Sequence, residues 1–127
     1  MAEEYSEGEL ERILDRVHRW GVEFSESAHF AALSEEQKGE SEAVVMFFTE
    51  CMYNYVGLAP EEWDEDGVEE CCLEVLPRKI SADEPFFRAA SPVLAAFFRF
   101  LAEKRYLRRA SRLAGAVQSM DLSLIHI

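Results

Sequence analysis

Ser91-Pro92-Val93-Leu94-Ala95-Ala96-Phe97-Phe98-Arg99-Phe100-Leu101 decides the fold. On a helix, Val93, Leu94, Phe97, Phe98, Phe100 and Leu101 place apolar side chains nearly all round. A helix of that kind is buried on every side, so this one is read as the hub. Ser91 reads as its cap and Pro92 as its first residue, where a missing N–H is tolerated. Just upstream, Ser81 with Glu84 is a capping-box pattern that opens a short helix carrying Phe86 and Phe87. Downstream, a last amphipathic helix is expected from about Leu107 to Met120, with Leu107, Ala110, Leu113, Ala114 and Val117 inward.

Towards the N-terminus the helical pattern continues. Val68, Cys71, Cys72, Val75 and Leu76 form one apolar face, capped by Asp64 or Asp66 and stopped by Pro77. Arg78 and Lys79 follow as a linker. From Ser41, residues Val44, Phe47, Phe48, Cys51, Met52 and Tyr55 recur at helical spacing, and Gly57 supplies the stop. Residues 22–40 are less regular. His29-Phe30-Ala31-Ala32-Leu33 reads as one short turn, Ser34 with Gln37 as a capping box, and Gly39 as a weak point. The first helix carries Leu10, Ile13, Leu14, Val17 and Trp20, with Ser6 and Glu9 as its capping box and Gly21 as its end. Beside the hub residues, the expected core holds Leu10, Leu14, Val17, Phe47, Phe48, Cys51, Val68, Cys72, Leu76, Phe87, Leu113 and Val117. No stretch alternates apolar and polar residues over a strand's length, and no unit repeats. The expectation is a single all-α domain of five or six helices over residues 1–121.

Size and charge bound the function. A chain of 127 residues is one domain's worth, and 49% hydrophobic with 30% charged residues is globular composition. The 25 acidic and 13 basic side chains give a net charge of −12. That field disfavours non-specific nucleic-acid binding, which needs cations against phosphates. The charge is uneven: residues 1–80 carry 21 acidic and 6 basic side chains, residues 81–127 carry 4 and 7. The two halves are expected to pack together and partly neutralise each other. Met1 to Tyr5 is acidic with no apolar run behind it, unlike a signal peptide, and uncharged stretches stop at ten residues, short of a membrane span. Cys51, Cys71 and Cys72 fall on apolar stretches without framework spacing, so reduced buried thiols and a cytoplasmic location are expected.

Catalytic and metal patterns are weak. Asp15/His18 and Glu26/His29 match a carboxylate-x-x-His spacing, but Asp15 lies about 140° from the apolar stripe of its helix and faces water. Glu69, Glu70 and Glu74 surround Cys71 and Cys72, and negative neighbours raise a thiol pKa. The sequence holds no CxxC, P-loop, G-x-G-x-x-G or G-x-S-x-G. No cofactor and no metal are expected. The most concentrated polar feature is Arg105, Arg108, Arg109 and Arg112, spaced i, i+3, i+4, i+7 and so placed on one helical face. Arginine suits bidentate contacts with carboxylate or phosphate, and pairing with the chain's own acidic segments is the first expectation. Trp63, in the acidic loop Pro60-Glu61-Glu62-Trp63-Asp64-Glu65-Asp66, reads as a core plug before an interaction anchor.

Leu76-Pro77-Arg78-Lys79-Ile80-Ser81-Ala82, then Phe86 or Phe87, then Pro92-Val93-Leu94-Ala95-Ala96-Phe97-Phe98 and Leu101 carry a resemblance. The stretch from Tyr53 to about Val117 is similar to uncharacterised bacterial proteins that often begin with a short SEC-C zinc motif. The resemblance covers about half the chain. It implies a helical fold and a helical region that continues past this chain's end. This sequence lacks the Cys-x-Cys…Cys-Cys pattern, so the resemblance implies no zinc site here, and it supplies no activity. The last six residues, Leu122-Ser123-Leu124-Ile125-His126-Ile127, resemble the translation of a transposon-end sequencing adaptor. Residues 122–127 are therefore expected to be a non-native tail on a truncated chain.

These readings favour a non-catalytic interaction or accessory module, using the arginine face or Trp63 on a protein partner. A nucleic-acid-associated regulator using the same arginines on RNA is the first alternative. An enzyme whose site is completed by a missing C-terminal segment is the second. A truncated bundle also exposes apolar surface, which predicts self-association. No membrane partner is expected.

Overall fold

A computed structural model describes residues 7–79 and 84–120. The capping positions Ser6 and Ser81 and the tail 122–127 lie outside these residues. The fold is all-α, and no strand occurs among the described residues. The elements are α1 (Glu7–Ser25), α2 (Ala28–Ala31), α3 (Glu35–Cys51), α4 (Glu65–Glu70), α5 (Leu76–Lys79), α6 (Glu84–Lys104) and α7 (Ala110–Gln118). A π turn, Met52–Val56, prolongs α3, and a second, Cys71–Val75, joins α4 to α5. A 3₁₀ turn, Pro60–Glu62, lies between them.

The hub is α6, which packs most extensively against α3 and α7. It buries Val93 and Leu94, five phenylalanines (Phe86, Phe87, Phe97, Phe98 and Phe100) and Leu101. By length and composition it could also cross a bilayer, yet 67% of its apolar window is buried inside the protein, as in a core helix. The helix does not start at Ser91. It runs unbroken from Glu84 through Pro92. An internal proline costs about 3 kcal/mol, whereas each large buried side chain returns about 1.5–3 kcal/mol, so the burial on both sides of Pro92 outweighs it. Ser91 caps nothing: its hydroxyl donates to the Val117 carbonyl, 3.1 Å away, and ties α6 to the end of α7.

Other local stops are also overridden. Gly21 does not end α1, which continues to Ser25. The extra turn buries Phe24 against the rings of Phe30, Phe97 and Phe100. The inward face of α1 is Ile13, Val17, Trp20 and Phe24, whereas Leu10 and Leu14 stay partly exposed. Gly39 interrupts nothing in α3, where a Cβ would meet open space. Pro77 does not stop its segment: the helical backbone runs on from the π turn through Leu76–Lys79. On α3 the expected face holds at Val44, Phe48, Cys51 and Met52, but its edges differ: Val45 is also buried, whereas Phe47 is 39% exposed and Tyr55 52%. The capping box of Ser34 and Gln37 forms as expected, Asp64 caps α4 by accepting the Gly67 N–H at 2.8 Å, and Gly57 ends the π turn at φ 87°. Leu58 and Asp64 crowd Gly67, leaving little room for a Cβ.

The three cysteines are free and buried together. Burial, then Glu50 and Cys72, push the Cys51 thiol up to about 11. A hydrogen bond to Cys72, then burial, push Cys71 up as well. Both therefore remain thiols at neutral pH and pack as small apolar side chains.

Candidate functional site

The chain between α6 and α7 does not continue either helix. Arg105 takes a left-handed backbone, φ 62°. Around it the Tyr106 N–H reaches the Leu101 carbonyl at 3.0 Å, and the Arg105 N–H reaches Ala102 at 3.1 Å. This pair of bonds is the Schellman ending that glycine usually serves. The chain then turns, and α7 begins only at Ala110. The helix expected from Leu107 thus starts three residues later. Arg105, Arg108, Arg109 and Arg112 do not share one helical face: Arg105 closes α6, Arg108 is in the turn, Arg109 is the N-cap of α7 and Arg112 is in its first turn.

Three of the four nevertheless converge. Arg108, Arg109 and Arg112 line a cavity of about 540 Å³, together with Ser111 and Leu113 of α7. Pro60, Glu61 and Trp63 form its opposite wall, and Tyr106 and Leu107 complete it. Arg105 stands outside. Trp63 arrives from 45 positions before Arg108, so no spacing in the sequence announces it. Its placement follows from packing: it is 1% exposed, with its ring 5.1 Å from Phe48 and 6.1 Å from Phe98, both edge-on. The plug reading of Trp63 therefore holds for its ring. Its indole N–H is buried and finds no acceptor among the described residues. An unmet buried donor costs about 1–3 kcal/mol.

The electrostatics of this corner are unbalanced. Among the described residues, none of the four arginines forms an ion pair with a carboxylate, contrary to the expected internal pairing. The nearby acids are already engaged. Glu61 is held by Arg16, Glu62 accepts the Ala59 N–H at 3.0 Å, and Asp64 caps α4. The Arg16 guanidinium, through its hydrogen bond, holds the Glu61 carboxyl below the usual carboxylate range. The α7 start has no side-chain cap and no acid in its first turn. The Ala110 N–H bonds to the Leu107 carbonyl at 3.4 Å, but no side chain answers the amides that follow. Cations at the positive end of a helix dipole are unfavourable, and such amides attract anions.

The rim is tied to α1. Tyr106 stacks on Trp20 at 5.7 Å and 12°, and its hydroxyl donates to Glu23 at 2.7 Å, which raises its pKa. The Arg16 guanidinium lies 5.2 Å above the Trp20 ring while holding Glu61. Chemically, the lining offers donors and positive charge. Its titratable members besides arginine are Glu61 and Tyr106, each already bonded elsewhere, so neither is free to move a proton for Ser111.

The carboxylate-x-x-His pairs stand elsewhere. Asp15 is exposed. His18 is 3.9 Å from Glu42, and His29 is 2.7 Å from Glu103. Among the described residues, no three His, Cys, Asp or Glu side chains gather as a metal site. A smaller cleft of about 210 Å³ between α1 and α3 is walled by Val17, Phe24 and Val45 and gathers no unpaired charge comparable to the arginines. No protein-family model matches the chain, and no curated protein or solved structure matches it.

Proposed function

We propose that the chain is a non-catalytic interaction module that docks an acidic segment of a partner protein at the start of α7. The observation that carries this reading is the set Arg108, Arg109 and Arg112: three cations round an uncapped helix start, with no ion pair among the described residues of a chain of net charge −12. Carboxylates outnumber cations almost twofold here, yet the corner is left for an anion from outside. A protein segment is favoured over RNA because the acidic remainder of the surface repels a long polyanion, whereas a short acidic segment meets the local field.

Binding of a short Glu/Gly peptide and of a single-stranded RNA of equal formal charge, compared by fluorescence anisotropy, tests the reading. The peptide is expected to bind the full chain more tightly, and Arg108→Glu/Arg109→Glu/Arg112→Glu is expected to weaken it by about tenfold or more. RNA binding more tightly than the peptide, and lost in the same variant, would replace the reading with the nucleic-acid one.

A further inference from the structure

The geometry points to a narrower ligand: a phosphate monoester on a serine or threonine of the docked segment, seated between Arg109, Arg112 and Trp63. This inference rests on the docking reading and sharpens it. Charge is the first argument. Among the described residues the one carboxylate lining the cavity, Glu61, is committed to Arg16. A single incoming carboxylate would leave most of the charge of three guanidinium groups unmatched. A phosphate monoester brings about −1.5 to −2 at neutral pH and three acceptor oxygens, and comes closer to balance.

Donor arrangement is the second argument. A phosphate's oxygens point in several directions, so it gains from donors on different elements. Here the guanidinium groups of Arg109 and Arg112 come from α7, and the helix start itself has no side-chain cap. Arg108 adds a third guanidinium from the turn before α7, and the opposite wall holds the packed Trp63 ring. A helix N-terminus flanked by arginine forks is a combination that phosphate can use. Size is the third argument. About 540 Å³ exceeds what a bare phosphate needs and accommodates the residue that bears it.

The test titrates the full chain with one peptide in three forms, carrying serine, glutamate or phosphoserine at a central position. Inorganic phosphate serves as a competitor. The expected result is phosphoserine tighter than glutamate by about ten- to a hundredfold. That margin should collapse in Arg109→Gln/Arg112→Gln and persist in Arg99→Gln, a surface control on α6. Circular dichroism of each variant confirms that the fold is kept. Glutamate binding as tightly as phosphoserine would overturn the phosphate seat and leave the docking reading standing. Inorganic phosphate binding as tightly as the phosphopeptide would overturn the segment-borne source. No binding of either charged peptide would overturn both readings.

Discussion

The helix starts of α3 and α7 solve the same problem in opposite ways. At α3, Ser34 accepts the Gln37 N–H at 3.1 Å, the Gln37 side chain accepts the Ser34 N–H at 2.9 Å, and Glu35 and Glu36 sit in the first turn. Donors and dipole are both answered from within the chain. At α7, arginine occupies the cap, no side chain bonds to the first turn, and no acid is present. Both helices pack on α6, so a difference of scaffold does not explain the contrast. An intramolecularly satisfied end contributes to stability, and an end left unmatched carries binding capacity. On the docking reading proposed above, the two roles are divided between two helices.

Exchanging their chemistry breaks the comparison most directly. Ser34→Ala removes a cap and should lower stability by about 1 kcal/mol, within a range of about 0.5–2. Arg109→Asp supplies a cap, an acid at the dipole's positive end and relief from two neighbouring arginines. It should raise stability by about 1 kcal/mol while weakening anion binding. Thermal unfolding of both variants, beside the peptide titration, measures the pair. Arg109→Asp losing stability as Ser34→Ala does would mean that the α7 start is not the unmet end it is taken for.

The same contrast marks what the amino-acid sequence discloses. Ser34 with Gln37, Asp64 before α4 and Gly57 after α3 are local devices, and each works where the residues place it. The hub was legible too, because Phe97, Phe98, Phe100 and Leu101 leave α6 no face for water. Gly21 and Pro92 misled because their local cost is smaller than the burial gained by continuing, which depends on partners far along the chain. Phe47 misled because it lies at the edge of the buried face: its ring meets Phe86 of α6 at 6.0 Å yet stays 39% exposed, while Val45 at the opposite edge is buried beside α1. The arginine quartet misled for a different reason. Its spacing assumes one helix, and no glycine or proline at Arg105 signals the break. The cavity opposite Trp63 then arises from a contact that no periodicity encodes.

Arg105 sharpens this point. A non-glycine residue in the left-handed region costs about 1–2 kcal/mol, and the Schellman ending of α6 normally takes glycine to avoid it. Arg105→Gly should therefore raise stability by about 1 kcal/mol, less the extra unfolded-state freedom of glycine. Since Arg105 stands outside the cavity, the phosphopeptide affinity should stay close to that of the native chain. A fall in both quantities would show that the Arg105 side chain supports the turn carrying Arg108 and Arg109.

The smallest effect expected is also the one that connects stability to binding. Glu61 is the cavity's own carboxylate, and Arg16 holds its pKa below the usual range, mainly by a hydrogen bond. A carboxyl depressed on folding adds stability above its unfolded pKa, near 4.5, and loses that contribution as pH falls through the lowered folded value. The side chain of Glu61 is 59% exposed, so solvent screening keeps the contribution small. Glu61→Gln should therefore melt slightly below the native chain at pH 6, with the gap closing as the pH drops below about 4. At neutral pH the same substitution removes a negative charge from the wall facing Arg108, Arg109 and Arg112, so affinity for the phosphopeptide should rise. A lower melting point together with tighter binding is the signature of a carboxylate that competes with the ligand. A lower melting point with unchanged binding would mean that the Arg16–Glu61 pair only fastens the loop to α1 and that the field in the cavity is set by α7 alone.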